Sequence, residues 1–378
     1  MHPVVETLAA FVRANSVNPA YGDGGSEANV VPLVRDFFAQ RGIETLTQEV
    51  FPGRCNIIAR LPGRTTRRVV LEAHMDTVSI KGMSIPPFEP TIEDGRLHGR
   101  GSVDDKAGLV AMMHAVASLK EEGITPPCEV WMAAVVDEEF TYRGVVKLCE
   151  GLQAAGAIVA EPTEMRAVIA SKGVLRWRMG VRGKAAHSSK PHLGVNAVTH
   201  MARLVLALEE ENHRLAGRTH PLLGPGTVSV GVISGGVQVN FVPDQCTIEI
   251  DRRLLPGERA SDALAETQRL IEMLKARHPG FDAFIEEPPL LVDEALDTPA
   301  EASTVQVARQ VLRDLGLNDE VCGVPFGSDA SKLSRAGVPT IVFGPGSIDQ
   351  AHAADEYVPI DEVITATEFY RQFILSFE

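Results

Sequence analysis

The sequence lacks several features that mark whole classes of protein. No apolar run approaches the roughly 20 residues that span a bilayer, and the first residues lack the charged-then-apolar pattern of a signal peptide. The five cysteines contain no C-x-x-C pair, which argues against a zinc ribbon or a dithiol redox site. We therefore expect a cytoplasmic protein with reduced cysteines and no membrane contact.

Basic residues are also in short supply. Lys and Arg number 36 against 50 Asp and Glu, so the 378 residues carry a net charge of −14. This sign repels a phosphate backbone, and nucleic acid is not an expected partner. Apolar residues make up 44% of the chain and charged residues 23%, as in folded globular proteins, and the length suffices for two domains.

Helix-like and strand-like segments alternate in the first third of the chain. A helix pattern at 29–42 precedes strand patterns at 56–60 and 69–72, and a small-residue helix at 107–119 precedes a strand at 128–136. This alternation predicts an α/β domain in which a sheet carries helices on both faces.

The middle of the chain has a different order of elements. It predicts strand, helix, strand, strand and helix over 174–181, 196–213, 228–232, 245–253 and 260–277. The α/β pattern then resumes. The sequence therefore predicts a first domain of residues 1–172 and 286–378, interrupted by an inserted α+β domain of residues 173–285.

Carboxylates and histidines recur in five short motifs at strand ends or tight turns. The motifs lie at 74–76, 99–106, 137–139, 161–163 and 350–352. Clustered carboxylates at strand ends need a counter-charge, and imidazole with carboxylate is a ligand set that suits zinc or cobalt. Asp76 can hold one ring nitrogen of His74 while the other binds metal. Each motif alone is also explained by an ordinary turn or cap, and only the set indicates a metal centre.

As an ordered set, these motifs resemble a known family of dizinc amidohydrolases. The family contains acetylornithine deacetylase, succinyl-diaminopimelate desuccinylase and carboxypeptidase G2, and the resemblance covers nearly the whole chain. The motifs are His-x-Asp-x-Val, Gly-Arg-Gly-x-x-Asp-x-Lys, Asp-Glu-Glu, Glu-Pro-Thr and a late His. The segment 344–352, followed by Asp355, Glu356 and Tyr357, is most similar to the acetylornithine deacetylase version.

The resemblance implies five protein ligands for two zinc ions, with cobalt as an alternative metal. His74 and Glu161 would bind the first ion, and Glu139 and His352 would bind the second. Asp104 would bridge both ions. Asp105 is left as a charge at the N-terminus of the following helix.

The resemblance also implies catalytic and substrate-binding residues. Glu138 would be the general base, taking a proton from the attacking water and handing it to the leaving amine. In the inserted domain, which resembles the lid and dimerisation domain of the family, His187 would reach the active site of a second copy and stabilise the oxyanion. From the residues alone, His187 is better explained as a surface or capping histidine.

Asn240 and Arg253 occupy family positions associated with the substrate carboxylate or the oxyanion, for which the planar fork of Arg is suited. Arg252 is a competitor, but neighbours on a strand point to opposite faces, and we favour Arg253. The resemblance further implies a homodimer.

The expected activity is metal-dependent hydrolysis of the amide bond of a small N-acyl amino acid, first of all acetylornithine deacetylation in arginine biosynthesis. A dipeptidase, carboxypeptidase or desuccinylase of the same family is the alternative. A catalytically inactive binding or scaffold protein is the alternative from another class. The segment 140–143 departs from the small residues expected after the base, which bears on the substrate and leaves the metal chemistry unchanged.

Overall fold

The computed structural model describes residues 2–378, and the chain forms two compact units. The first unit contains Met1–Ile169, Thr298–Cys322 and Ser328–Glu378. The second unit contains Ala170–Asp297 and Gly323–Gly327, and the segment predicted as an insertion, 173–285, falls within it.

Helices and strands alternate through the chain. The α-helices are α1 (Pro3–Arg13), α2 (Val31–Ala39), α3 (Lys106–Glu121), α4 (Arg143–Leu148), α5 (Ala197–Leu215), α6 (Ala260–Arg277), α7 (Ser303–Asp314), α8 (Ala330–Arg335) and α9 (Ile360–Ser376). The strands are β1 (Glu44–Phe51), β2 (Arg54–Leu61), β3 (Arg68–His74), β4 (Thr91–Glu93), β5 (Arg96–His98), β6 (Glu129–Val135), β7 (Gly156–Val159), β8 (Val168–Ser171), β9 (Gly173–Arg182), β10 (Ala186–His187), β11 (Thr219–His220), β12 (Gly224–Pro225), β13 (Thr227–Gly235), β14 (Phe241–Val242), β15 (Gln245–Leu254), β16 (Asp282–Ile285), β17 (Leu291–Asp293), β18 (Leu296–Asp297), β19 (Cys322–Val324), β20 (Thr340–Val342) and β21 (Tyr357–Pro359).

The first unit is built around a mixed sheet with strand order β1-β2-β6-β3-β7-β20-β8. Strands β6, β3, β7 and β20 run parallel, and antiparallel pairs complete both ends of this order. The parallel strands are almost entirely buried, as apolar runs covered on two faces should be.

Helices cover both faces of this sheet. On one face, Asn56 of β2 donates a hydrogen bond to the carbonyl of Gly144 in α4 over 2.8 Å. On the other face, Gly156 of β7 lies so close to α7 and α9 that a Cβ there would be 2.3 Å from Thr304 Oγ1 and 2.8 Å from Phe377 Cζ. The predicted α/β sheet with helices on both faces is confirmed.

Aromatic side chains fix helix α9 against the end of β20. Phe343 stacks on Phe369 with ring centroids 3.7 Å apart, and the Tyr370 hydroxyl donates a hydrogen bond to the Phe343 carbonyl over 2.6 Å. Phe373 extends the stack. Buried aromatic rings contribute large apolar areas to a core, so this contact anchors the segment that leaves β20.

The second unit has its own antiparallel sheet, with strand order β13-β15-β9-β16. Helices α5 and α6 cover one face, where Trp177, Met201 and Ile248 are among the buried core residues. Ion pairs line the other face, for example Arg176 with Asp251 at 2.7 Å. This unit is α+β and contains a complete core.

Hydrophobic periodicity located many of these elements. Helix α6 has the predicted bounds, and α3 lies within two residues of its prediction. Strand β1 was not predicted, because none of its residues is buried and no apolar alternation marks it. Within residues 2–378, no helix combines the length and apolar character needed to cross a bilayer.

Candidate metal centre

The carboxyl ends of the parallel strands lie at one edge of the first unit's sheet. Strand β3 ends at His74, β6 leads into Glu138 and Glu139, and β7 leads into Glu161. The segment that follows β20 carries His352. Open α/β sheets place their ligands at this edge, which explains why residues far apart in sequence meet here.

Asp104 lies between two histidines. Its Oδ1 is 3.0 Å from His74 Nε2, and its Oδ2 is 3.2 Å from His352 Nε2. Two groups place possible ligand atoms within 4.8 Å of one another, His74 with Asp104 and Glu161, and Asp104 with Glu139 and His352. The structure thus brings the five predicted ligands together in the predicted pairs, and Asp104 belongs to both groups.

The two groups differ in their access to solvent. His74, Asp104 and Glu161 are buried. In the other group, His352 Nε2 is 3.3 Å from Glu139 Oε1, and the His352 side chain is 52% exposed. One position is therefore enclosed by protein, and the other is open on the His352 side.

The electrostatics of this cluster fit divalent cations. Burial is the main cause that raises the pKa of Glu138, Glu139 and Glu161, and nearby carboxylates such as Asp104 raise these pKa values further. Crowded buried carboxylates call for positive charge, and the imidazole and carboxylate donors match the ligands that zinc takes in proteins. The residues present therefore fit a pair of divalent cations.

Protons compete with cations for the histidines. Hydrogen bonds to Asp104 and Glu139 raise the pKa of His352 to about 11. Burial opposes protonation of His74, yet the nearby carboxylates of Asp104 and Asp76 outweigh it and hold its pKa well above the ordinary value. Metal ligands must give up their protons, so cation binding here will be coupled to proton release.

The Asp76 carboxylate lies near His74, as predicted, but its hydrogen bonds go to other groups. His74 Nδ1 donates to the backbone carbonyl of Asp76 over 3.0 Å, and the Asp76 carboxylate oxygen is 3.6 Å away. That carboxylate instead accepts hydrogen bonds from Asn18 Nδ2 (2.8 Å) and from the backbone amides of Glu138 (3.1 Å) and Glu139 (3.2 Å). Asp76 therefore orients His74 through its main chain and holds the segment of the predicted base through its side chain.

A buried polar network holds the turn before Glu138. Asp137 adopts a left-handed backbone with φ 70°, which is uncommon for a residue other than glycine. Its carboxylate accepts hydrogen bonds from Arg54 (3.0 Å), from Asn18 (3.1 Å) and from the Thr141 hydroxyl, and its amide donates to Glu27 over 3.2 Å. Sequence analysis missed Asn18, Glu27 and Arg54. Their only sequence signal was a polar or charged residue outside the motifs.

Asp105 has the predicted position but a different environment. It is the N-cap residue of α3, yet its side chain makes no capping hydrogen bond and is fully buried. Burial raises its pKa well above the ordinary value. A Cβ on Gly108 would lie 2.4 Å from Asp105 Oδ1 and 2.5 Å from Ala160 Cβ. Asp105 is therefore at the N-terminus of α3, as predicted, and is packed between α3 and the end of β7.

Two further buried carboxyl groups, those of Glu72 and Asp329, lie near this centre. Burial raises the pKa of Glu72 to about 8 and holds the pKa of Asp329 well above its ordinary value. The Asp329 charge also contributes to the raised pKa of Glu138. Sequence analysis assigned no role to Glu72, although it precedes His74 by two residues.

The aromatic residues after Glu138 pack on the protein itself. Phe140 makes an edge-to-face contact with Tyr21 at 6.5 Å between centroids and remains 54% exposed. The Tyr21 hydroxyl donates to the Glu139 carbonyl over 2.9 Å. The Tyr142 ring lies under Lys332 Nζ at 3.2 Å. Tyr21 was not predicted, and it links Phe140 to the backbone of a candidate ligand.

In the second unit, His187 and Asn240 lie close together. His187 of β10 pairs with Phe241 of β14, and the Ser188 amide donates to the Asn240 carbonyl over 3.0 Å. The His187 side chain is exposed, with its Nδ1 2.8 Å from Ser189 Oγ. Their predicted roles remain predictions.

Arg252 and Arg253 point to opposite faces of β15. Arg252 is buried and pairs with Glu266 at 3.1 Å and Glu258 at 3.4 Å. Arg253 lies on the other face with Asp251 at 2.8 Å. Because Arg252 is itself buried and forms two ion pairs, Arg253 is the better candidate for a substrate carboxylate.

Known proteins resemble this chain over most of its length. The model of peptidase family M20/M25/M40 matches residues 70–376. The acetylornithine deacetylase of Myxococcus xanthus is 34% identical over 324 residues, covering 82% of this chain and 81% of that protein. A Staphylococcus epidermidis protein named probable succinyl-diaminopimelate desuccinylase is 28% identical over 405 residues, covering 99% and 97%.

A solved structure with the same fold extends the comparison. The crystal structure of aminopeptidase PepT from Bacillus cereus superposes with a TM-score of 0.83 at 24% identity, covering 99% of this chain and 97% of that chain. The relatives and the structure differ in the substrates that their names state.

Proposed function

This chain belongs to peptidase family M20/M25/M40 and is a metal-dependent hydrolase, and on that premise we propose that it cleaves the amide bond of a small N-acyl amino acid. The observation that carries the proposal is the position of Asp104 between His74 and His352, with Glu138 close enough to feel the charges of His74, Glu139 and Asp104. N-acetylornithine is the proposed first substrate, which would place the enzyme in arginine biosynthesis. The 34% identity to an acetylornithine deacetylase supports this choice.

The proposed cofactor is a pair of zinc ions, with cobalt as a functional substitute. His74 with Glu161 would hold one ion, Glu139 with His352 the other, and Asp104 would bridge them. When bound, such ions polarise an amide carbonyl and lower the pKa of water.

The side chains of this unit would supply proton transfer and its positioning. The buried Glu138 carboxylate would accept the proton of the attacking water and return it to the leaving amine. The Asp76 carboxylate accepts a hydrogen bond from the backbone amide of Glu138, which restrains the backbone that carries the proposed base. General acid–base catalysis of this kind contributes on the order of 10²- to 10⁴-fold.

The second unit would bind the substrate and complete the site in a cytoplasmic homodimer. His187 would stabilise the oxyanion in the active site of a second copy. Arg253, on the face of β15 opposite the buried Arg252, would bind the substrate carboxylate with its planar fork, and Asn240 would assist it.

A second candidate is a dipeptidase, carboxypeptidase or desuccinylase with the same metals and base. The peptidase family and the desuccinylase relative support it. The third reading, an inactive binding or scaffold protein, is disfavoured because the predicted base, bridge and ligands all converge at one edge of the sheet.

The test is amine release by zinc- or cobalt-loaded protein. The panel contains N-acetyl-ornithine, N-succinyl-diaminopimelate, other N-acyl amino acids and simple dipeptides. We expect the highest kcat/KM for N-acetyl-ornithine, loss of turnover after chelation, and recovery on adding zinc or cobalt. Preference for dipeptides would overturn the proposed deacylase activity but leave the metal-dependent hydrolase. No turnover of any substrate by metal-loaded protein would support the hypothesis of an inactive scaffold protein.

A further inference from the structure

Glu356 is a fully buried carboxylate outside the candidate ligand set. Its Oε2 accepts hydrogen bonds from Arg100 Nη1 (2.6 Å) and from the amide of Gly101 (3.0 Å). Its Oε1 accepts from the amides of Val103 (3.0 Å) and Asp104 (3.2 Å). The Glu356 side chain thus accepts hydrogen bonds from three backbone amides of one loop and from a guanidinium. One of these amides belongs to Asp104, which lies between the two histidines.

The loop that carries Asp104 depends on these bonds. Gly101 has φ 77°, and a Cβ there would lie 2.6 Å from Thr77 Cγ2, so the loop is tightly turned and closely packed. Buried amides that lose their acceptor are destabilised, and hydrogen bonds to a carboxylate are stronger than those to a neutral acceptor. The backbone of this loop, and with it the direction of the Asp104 side chain, is therefore held by Glu356.

Glu356 is also tied to the segment of His352. It follows His352 by four residues and comes directly before β21, where Tyr357 pairs with His98 of β5. The backbone carbonyl of Glu356 accepts a hydrogen bond from the Gly99 amide over 3.0 Å. Asp104 and His352 belong to separate segments of the chain. Glu356 accepts a hydrogen bond from the Asp104 segment and is itself part of the His352 segment.

We propose that Glu356 is a positioning residue that sets the distance and direction of Asp104 relative to His352, and thereby the affinity of the cation position formed by Asp104, Glu139 and His352. The inference rests on the proposed two-cation function. Glu356 itself would touch neither cation nor substrate. A Gln at this position would present an NH₂ group to donors that now meet an oxygen, so the loop would lose part of its hydrogen bonding.

The test is a cation titration of Glu356→Gln, with zinc affinity measured by competition with a chromophoric chelator and cobalt binding followed by visible absorption. We expect two cations per wild-type chain. In the variant, both positions should weaken because both contain Asp104, and the position of His352, whose segment also carries Glu356, should weaken more, by about tenfold or more, the range seen when the outer partners of metal ligands are removed. Turnover should fall and recover partly at high metal concentration.

The matched control is Glu258→Gln in the second unit. Glu258 likewise accepts from a backbone amide, Leu255 at 2.9 Å, and from an arginine, Arg252 at 3.4 Å. This variant should keep wild-type affinity for both cations. Glu356→Asp retains two oxygens on a shorter stem and should fall between wild type and Glu356→Gln, and it carries the test if Glu356→Gln does not fold.

Two results would overturn the proposal. One is wild-type affinity at both positions in Glu356→Gln, and the other is equal weakening of both positions together with a lower melting temperature, which is a general structural defect. Wild-type protein that fails to bind two cations would instead count against the proposed function. The titration needs no substrate, so the two failures are distinguishable.

Discussion

Asn18 Nδ2 lies 2.8 Å from Asp76 Oδ2 and donates the hydrogen bond that joins the segment after α1 to the segment after β3. The same nitrogen is 3.1 Å from Asp137 Oδ1. Asp76 and Asp137 both hold the segment of Glu138, so a neutral donor stands between two buried carboxylates that would otherwise repel each other.

Replacing Asn18 with Asp should impair turnover more than replacing it with Ala. Asp would put a third carboxylate in this network, displace the segment of Glu138, and lower kcat by about 100-fold, the effect of misplacing a catalytic group by roughly 1 Å. Steady-state kinetics at saturating zinc will measure it. The control is Asn196→Ala, which removes the cap of α5, where Asn196 Oδ1 accepts from the Thr199 amide over 2.9 Å. It should cost about 1 kcal/mol of stability and leave kcat unchanged. Normal kcat in Asn18→Asp would refute a positioning role.

Glu138→Gln should lose turnover and keep its metal. Gln has nearly the same shape but cannot accept the proton of water, so kcat should fall by about 10²-fold or more. Metal content by atomic absorption should stay at two ions per chain, because Glu138 belongs to neither candidate group. The control is Glu150→Gln, which breaks an exposed ion pair with Lys147. Substantial residual activity in Glu138→Gln would exclude it as the base.

Asp104→Asn and His352→Ala should differ in the number of cations lost. Asp104 belongs to both candidate groups, whereas His352 belongs to one and is 52% exposed. After dialysis against a weak chelator, Asp104→Asn should retain less than one ion and His352→Ala close to one. Equal metal content in the two variants would contradict the bridging position of Asp104.

Mixing His187→Ala chains with Glu138→Gln chains should restore activity if His187 acts across a dimer. Each mixed dimer has one site with an intact base and an intact histidine, and random pairing makes half of the dimers mixed. Recovery should therefore reach about a quarter of wild-type activity. Native mass spectrometry shows whether mixed dimers form. Their presence without any recovery would place His187 in its own subunit's site or in none.

His114 should make the protein less stable in mild acid. Its Nε2 is 2.8 Å from Thr7 Oγ1 and its ring packs on Phe37, and burial is the main cause that lowers its pKa from 6.5 to about 4. The unfolded chain binds a proton at His114 below about pH 6.5, whereas the folded chain binds it only near pH 4. The contribution of the neutral, buried His114 to the free energy of unfolding is therefore fully present above pH 6.5 and is lost as the pH falls toward 4.

The measurement for His114 is urea unfolding with chelator at pH 7.5 and pH 5. His114→Gln lacks the titrating group, so it should lose on the order of 2 kcal/mol less stability than wild type between these pH values. The chelator keeps cation release out of the comparison. Equal losses in the two proteins would show that folding does not lower the pKa of His114.

The candidate ligands could be predicted because each follows a recognisable local pattern. His74, Glu139 and Glu161 come at or just after the ends of apolar strands, and parallel strands deliver their carboxyl ends to one edge. The Asp76 carboxylate does lie near His74, but at 3.6 Å from Nδ1 it is farther than the hydrogen bond expected from an extended chain beyond His74. Strand β3 ends at His74, so the backbone turns there and the Asp76 carbonyl takes the ring nitrogen.

The positioning residues could not be predicted, because their role depends on contacts between distant segments. Glu356 is 255 residues from Gly101, and Asn18 is 58 residues from Asp76. Arg54 and Glu27 are likewise a buried pair joined only in the fold. A polar residue outside a motif gives no local pattern, and only the folded backbone shows which donors it meets.

The two candidate cation positions differ in where their ligands lie along the chain. His74, Asp104 and Glu161 are translated before the second unit, which begins at Ala170. His352 and its neighbour Glu356 are translated only after it. One position therefore has all its ligands on segments that precede the second unit, while the other also needs a ligand from a segment that follows it.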